Sequence, residues 1–337
     1  MLVPPVRPAP QPDALSNLLA SVRLSGAIFF MMEVSRPWDA ACVPHGRELA
    51  RELAPGTRNL ISFHVVTEGE CWAGVYGSPP QRLGVGDVVV FPRGDPYYLA
   101  QTSREPDAPV LANSFGMLGA QARMELPFCT RFGGGGERTG MICGFLGCDD
   151  GPFNPLLDAL PAMMVVRQER DPELGERLRN LVSLTLAESR APTPGAALVR
   201  TRLSELLFVE LVRRYLASLP ADQSGWLAGL RDEVVGRALA ALHQRPAEPW
   251  SLHTLAREAG ASRSVLAERF HSLVGLPPMR YLARWRLQLA AQRLAQGRAK
   301  VSAVALEVGY ESEAAFTRAF KKLTGVAPGA WKKTAQA

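Results

Sequence analysis

Three groups of side chains in this 337-residue sequence could do chemistry: clustered cations, five thiols, and a histidine set in a β-rich stretch. The cations are segregated. From Arg231 onward there are 17 Lys+Arg against 8 Asp+Glu, while residues 1–230 carry 21 Arg against 24 acids. The formal charge of +6 is therefore a cationic end on a slightly acidic body. All five lysines (Lys300, Lys321, Lys322, Lys332, Lys333) fall in the last 38 residues. Such an asymmetry is the electrostatic footprint of a region that binds a phosphate backbone, a merely solubilising tail being the plainer alternative.

The thiols lie in the other half. Cys42, Cys71, Cys129, Cys143 and Cys148 are odd in number and follow no compact framework, so a secreted disulfide scaffold is excluded and a reducing, cytoplasmic setting is expected. Cys143 and Cys148 are separated by Gly-Phe-Leu-Gly, and a turn at the glycines would bring them to disulfide distance, which makes them redox candidates; small buried apolar residues are the commoner alternative. Cys42 and His45 form a C-x2-H half-site with no second half, so no metal is expected there. The Gly133–Gly136 run is followed by no Lys-Ser/Thr opening a helix, and it reads as a loop rather than a phosphate cradle. No signal-peptide pattern starts the chain. The apolar run Ala27–Met32 is far shorter than the roughly 18 residues of a membrane helix, and no membrane partner is expected.

These groups must be held by elements. Residues 1–12 contain five prolines and read as a mobile arm. Residues 13–166 read as short strands broken by Gly and Pro, as in NLISFHVVTEGECWAGVYG and QRLGVGDVVVFPRGDPYYL, the pattern of a sandwich or small barrel. Residues 167–220 change to a helical period. Asp171 is placed to cap a helix with Leu174, Leu178, Leu181, Leu184 and Thr185 on one face, and a second helix carries Leu203, Leu206, Leu207, Glu210, Leu211 and Arg214. This pair is either a lid on the β region or a dimer seam. Residues 221–230 read as a linker and 231–337 as wholly helical, giving an α+β chain of two parts.

The helical end contains one pattern twice, SLHTLAREAGASRSVLAERFHSLVGLPP and VSAVALEVGYESEAAFTRAFKKLTGVAP. Each copy has a small residue where two helices approach (Ala256, Ala305), a turn glycine (Gly260, Gly309) and a capping serine (Ser262, Ser312). A following helix buries residues four apart, Leu266 with Phe270 and Phe316 with Phe320. These are the parts of a helix-turn-helix. Between the copies, Met279–Gln296 has no Gly or Pro and forms a strut of about 27 Å, of the order of the roughly 34 Å repeat of B-DNA. Arg280, Arg284, Arg286 and Arg293 lie along it, Arg293 reading as ordinary solvated surface.

The motifs PWSLHTLAREAGASRSVLAERF, GLPPMRYLARWRLQLAAQRL and VALEVGYESEAAFTRAFKKLTGVAPGAW resemble the AraC/XylS family of transcription regulators over about a hundred residues. FHVVTEGECW, LGVGDVVVFPRGDPYYL, GGGGERTGMICG and NPLLDALP are similar, more loosely, to the cupin-type sensor domain of one branch of that family. The resemblance implies a cupin-like β-barrel with trailing helices, then an all-α domain with two helix-turn-helix motifs. It also implies double-stranded DNA and RNA polymerase as partners, a homodimer, and control of transcription, more often activation. Carried over by position, the first recognition helix presents Arg263, Ser264, Ala267 and Glu268, and the second presents Ser312, Glu313, Ala314, Thr317, Arg318, Lys321 and Lys322. Arg318 stands where the family places a DNA-contacting arginine. Lys321, Lys322, Lys332 and Lys333 suit phosphates, Ala267 suits a thymine methyl, and Glu268 could accept from cytosine while repelling phosphate.

Cupins that do metal chemistry use paired histidines, a glutamate and a later histidine. Here His64 is alone on its strand, and Tyr97 and Tyr98 stand where the later histidine is wanted. No metal or other cofactor is therefore expected, and a cupin-class metal enzyme with an accessory DNA-binding domain is the alternative reading, an unregulated architectural DNA-binder a third. The effector is either an oxidant acting on the thiols or a small organic molecule, with Phe63, His64, Trp72, Phe91 and Tyr98 as pocket candidates and plain core packing as the alternative for each.

Overall fold

The computed structural model describes residues 15–16, 19, 23–42, 50, 54, 57, 59–106, 128–149, 151–167, 172–190, 193–220, 225–297 and 299–334. The proline-rich residues 1–12, His45 and Asp171 lie outside the described residues. The chain divides into two compact units. One comprises Arg23–Asp150 and Leu157–Pro220; the other includes Gly151–Leu156 and Ala221–Ala337.

The first unit is built on ten strands among the described residues: β1 (Arg23–Ser35), β2 (Asp39–Cys42), β3 (Asn59–Glu68), β4 (Cys71–Val75), β5 (Gln81–Leu83), β6 (Val88–Phe91), β7 (Tyr97–Ala100), β8 (Phe128–Gly133), β9 (Arg138–Asp149) and β10 (Met164–Val166). They form a six-stranded sheet in the order β10-β6-β3-β9-β1-β8 and a four-stranded sheet in the order β2-β7-β4-β5. Pairing is antiparallel except between β1 and β8, which run parallel. One core joins the two sheets. Phe30, Met32, Val34, Leu60, Val66, Phe91, Met141, Cys143 and Phe145 of the larger sheet pack with Cys42, Cys71, Ala73, Leu83, Tyr97 and Leu99 of the smaller. Alternation along each strand then sends the intervening side chains to the outer faces.

A short helix, α1 (Pro155–Ala159), precedes β10, and two long helices follow it, α2 (Pro172–Arg190) and α3 (Ala196–Ser218). Helices α2 and α3 pack on each other, and α3 also packs on β1 and β10. Leu178, Thr185, Leu207, Glu210, Leu211 and Arg214 are buried, in keeping with the faces read from the 3.6-residue period. Leu184 and Leu206 depart from that reading: both are 54% exposed, and Leu198 is 63% exposed. The apolar stripe is wider than the surface it covers.

The second unit is helical beyond Gly225: α4 (Trp226–Arg231), α5 (Glu233–Gln244), α6 (Leu252–Glu258), α7 (Arg263–Val274), α8 (Pro278–Ala295), α9 (Val301–Glu307), α10 (Glu313–Thr324) and α11 (Pro328–Thr334). The strut read from the sequence is α8, 18 residues long with prolines at its start. Tyr281 and Trp285 of α8 are buried beside Phe270 and His243, and His243 Nε2 lies 2.7 Å from the Tyr281 hydroxyl. The other end of α8 packs Leu287, Ala290, Ala291 and Leu294 against Val304, Ala305, Phe316 and Phe320. The Gly151–Leu156 segment also belongs to this unit. The Phe153 N–H donates to Gln288 Oε1 at 3.0 Å, its ring meets Tyr281 edge-on at 5.6 Å, and the Arg284 guanidinium lies 5.7 Å over it.

Candidate nucleic-acid interface and sensor interior

The two helix-turn-helix units are built alike. Helix α6 opens with a capping box between Ser251 and Thr254 and buries Leu255 and Ala256. Gly260 turns the chain with φ +68°, and Ser262 caps α7 by accepting from the Val265 N–H at 3.3 Å. Helix α7 buries only Leu266 and Phe270. In the second unit α9 buries Val304 and Ala305, Gly309 turns with φ +89°, Ser312 accepts from the Ala315 N–H at 3.2 Å, and α10 buries Phe316 and Phe320. A side chain in the Cβ position of either turn glycine would require the left-handed backbone that only glycine adopts freely.

What α7 and α10 leave outside is what a duplex would meet. Arg263, Ser264 and Glu268 are exposed on α7, with Ala267 half-buried. Ser312, Glu313, Ala314, Arg318, Lys321 and Lys322 are exposed at α10, with Thr317 half-buried. Among the described residues, Arg263, Arg318, Lys321 and Lys322 are bound to no acidic side chain. Neighbouring cations differ. Arg269 pairs with Asp232, Arg245 with Glu258, and Arg237 with Glu233 at 3.0 Å. Charge left without an internal partner on two exposed helices is what phosphate neutralisation requires.

The strut arginines and last lysines divide. Arg280 and Lys333 are exposed. Arg293 faces Glu307 at 3.8 Å on the surface, as the solvated-face reading expected. Lys332 is not a free phosphate ligand: its Nζ donates to the Ala299 carbonyl at 3.0 Å and ties α11 to the loop before α9. Arg284 stands over Phe153, and Arg286 donates to three backbone carbonyls.

In the first unit the pocket candidates do not share a face. His64 and Phe91 point between the sheets. Phe63, Trp72 and Tyr98 alternate to the outer faces, so they are removed from the interior set. Phe63 lies against Gly144, where a Cβ would come within 2.2 Å of its ring, and Tyr98 lies against Gly74 and packs with Ala41, Ala100 and Tyr76. The tyrosine that points inward is Tyr97, one residue earlier: it stacks on Phe91 at 3.8 Å and its hydroxyl is 2.9 Å from His64 Nε2. Burial pushes the His64 pKa down to about 3, so the ring is neutral, and its Nδ1 has no hydrogen-bond partner. The Trp38 indole N–H is likewise buried and unpartnered in this core. Only the alternation of a correctly registered strand separates Tyr97 from Tyr98, and adjacent tyrosines carry no such mark in the sequence.

The thiol pair is also corrected. Cys143 and Cys148 lie five residues apart on the continuous strand β9, which at about 3.3 Å per residue separates them by roughly 16 Å and on opposite faces. A disulfide needs Cα atoms within about 7 Å. None of the five cysteines is in a disulfide. Burial pushes the Cys42 and Cys71 thiols up to about 12 and also raises the Cys143 thiol, so none is a ready thiolate. Exposed Cys129 is raised by partial burial and by Glu33. Among the described residues no group of three or more His, Cys, Asp or Glu could hold a metal, and no helix is long and apolar enough to cross a membrane. The Gly133–Gly136 amides are no cradle either: those of Gly134, Gly135 and Gly136 donate to Ser35 and Arg36 oxygens.

Comparison with known proteins bears on both halves. A cupin family model matches residues 13–217, and a helix-turn-helix domain model matches residues 255–334. A putative AraC-like transcription regulator of Streptomyces lividans is 34% identical over 295 residues, covering 87% of this chain and 92% of that one. A second, from Streptomyces antibioticus, is 33% identical over 275 residues, covering 81% and 87%. The RCS-specific HTH-type transcriptional activator RclR of Escherichia coli K12 is 24% identical over 321 residues, covering 95% and 97%. These relatives are regulators of transcription, which sets aside the metal-enzyme alternative. The cupin-type first half, the duplicated DNA-binding second half and this full-length similarity place the chain in the AraC family of transcription regulators.

Proposed function

We propose that this regulator works in the cytoplasm as a homodimer, reads two half-sites on double-stranded DNA, and activates transcription with RNA polymerase when a small organic effector enters its first unit. The observation that carries the DNA reading is the pair of exposed recognition helices whose Arg263, Arg318, Lys321 and Lys322 have no acidic partner among the described residues. The full chain is expected to shift a duplex selected from a random pool, and the shift to weaken steeply between low and physiological salt. Arg318→Ala lowers affinity by about 10- to 100-fold. Unaltered binding by that variant removes Arg318 from the interface.

Activation rather than repression is supported by the name of the E. coli relative. A dimer is supported by the exposed Leu184, Leu198 and Leu206 on the two helices that end the first unit. A small molecule is favoured over an oxidant because Cys42, Cys71 and Cys143 are held as buried thiols, whereas His64 Nδ1 and the Trp38 N–H are buried groups that lack a partner. An effector offering a donor to one and an acceptor to the other would satisfy both. A metabolite panel screened by thermal shift is expected to yield ligands that raise the Tm of the full chain but not of His64→Gln. Ligands that stabilise both equally place the effector elsewhere.

A further inference from the structure

The internal duplication extends further back than the helix-turn-helix pattern. Arg237 on α5 and Arg286 on α8 stand at the same spacing as Gly260 and Gly309. Each guanidinium reaches the turn of the helix-turn-helix that follows it. Arg237 Nε donates to the Ala259 carbonyl at 3.0 Å, and Arg286 Nη1 donates to the Gly309 carbonyl at 3.0 Å. Beyond that the two differ. Arg237 completes its bonding within its own helix, on Glu233 one turn earlier. Arg286 instead donates from Nε to the Pro246 carbonyl and from Nη2 to the Glu248 carbonyl, both at 2.7 Å.

Pro246 and Glu248 belong to the loop that leads from α5 into the first helix-turn-helix, while Gly309 is the turn of the second. One planar group thus holds three carbonyls from the two halves of the duplication. The junction is tight from the other side too. A Cβ at Gly309 would sit 2.8 Å from the Ala247 carbonyl oxygen and 2.9 Å from both the Ala247 Cα and the Arg286 Cζ. The turn is pressed directly onto the loop, and Arg286 closes the seam. A guanidinium can do this because its donors lie in one plane in a fixed fork; an ammonium on the same stem has no such fixed directions.

We propose that Arg286 is a positioning residue for DNA recognition: it fixes the second helix-turn-helix against the first, so that α7 and α10 meet a duplex at one separation and one angle. The inference rests on the reading that both units engage the same duplex. Arg286 itself need touch no DNA, because its three carbonyl partners account for the head group.

Two measurements on the full chain test it. In a Cys129→Ser background, spin labels at Arg257→Cys on α6 and Leu306→Cys on α9 report the distance between the units without DNA. The parent is expected to give one narrow distribution, Arg286→Gln a broadened one, Arg286→Lys an intermediate one, and Arg237→Gln a narrow one. An unchanged narrow distribution in folded Arg286→Gln overturns the proposal; if that variant does not fold, Arg286→Lys decides in the same way. The second measurement uses a duplex selected by the parent protein and the same duplex with one base pair inserted between the two contacted segments. The parent is expected to lose about tenfold or more on the insertion, and Arg286→Gln to bind both duplexes within about threefold of each other. Equal penalties in parent and variant overturn the proposal. If the parent selects no duplex at all, the DNA-binding reading fails, while the spin-label distances still decide the role of Arg286.

Discussion

His64 is the residue whose burial has the clearest consequence in solution. Its pKa falls from 6.5 to about 3 because the charged ring would be stranded between two sheets, where, among the described residues, the Tyr97 hydroxyl alone is bonded to it. The unfolded chain takes up this proton below about pH 6.5 and the folded chain does not, so the unfolded state binds more protons and stability falls as the pH drops toward 3. The contribution is about 1.4 kcal/mol per pH unit within that window. Thermal melts of the parent between pH 6.5 and 4 are therefore expected to fall more steeply than those of His64→Gln. Parallel slopes would mean that the ring is charged or solvated in the folded chain. The residues proposed to face DNA are expected to behave oppositely: Arg263 and Arg318 are exposed and, among the described residues, have no acidic partner, so their loss should alter binding with little change in melting.

Local signals made the helical elements legible, and the absence of local signals hid the sheet. Turn glycines at 260 and 309, capping serines at 262 and 312, and apolar pairs four apart are all set within a few residues, and each appears where it was read. Strand β3 is different. It is buried from Asn59 through Val66, covered on both faces, and so lacks the alternation that would say which of Phe63 and His64 points inward. Strand β9 misleads more directly, because its glycines look like turn residues. Gly144 lies within the strand, where the ring of Phe63 leaves no room for a side chain. Helices α2 and α3 were legible as helices but not in how much of their apolar stripe is covered. If Leu198 and Leu206 are covered by a second copy, Leu198→Glu with Leu206→Glu should convert a dimer to a monomer in light scattering while leaving the far-UV spectrum intact. A dimer that survives the pair of changes locates the seam elsewhere.

At the scale of the whole molecule, the charge asymmetry read from the sequence separates a slightly acidic cupin-type half from a cationic DNA-binding half, and the division into two compact units follows that separation closely. The chain itself does not. Gly151–Leu156 leaves the first unit after β9, lays Phe153 on Tyr281, donates the Phe153 backbone N–H to the Gln288 side-chain oxygen, and returns. A fragment beginning at residue 225 would therefore lack part of its own core, leaving an aromatic face bare and the Gln288 amide without its partner. It is expected to melt lower than the same helices in the full chain, with a loss of stability comparable to a Phe153→Ala truncation, about 3–5 kcal/mol for a large buried ring. Equal melting temperatures would make the segment an ornament. If the segment is instead a borrowed piece of the helical unit, then cutting the polypeptide within residues 151–156 will loosen helices that begin some seventy residues further along. Part of their core is finished by a strip of chain written far upstream of them.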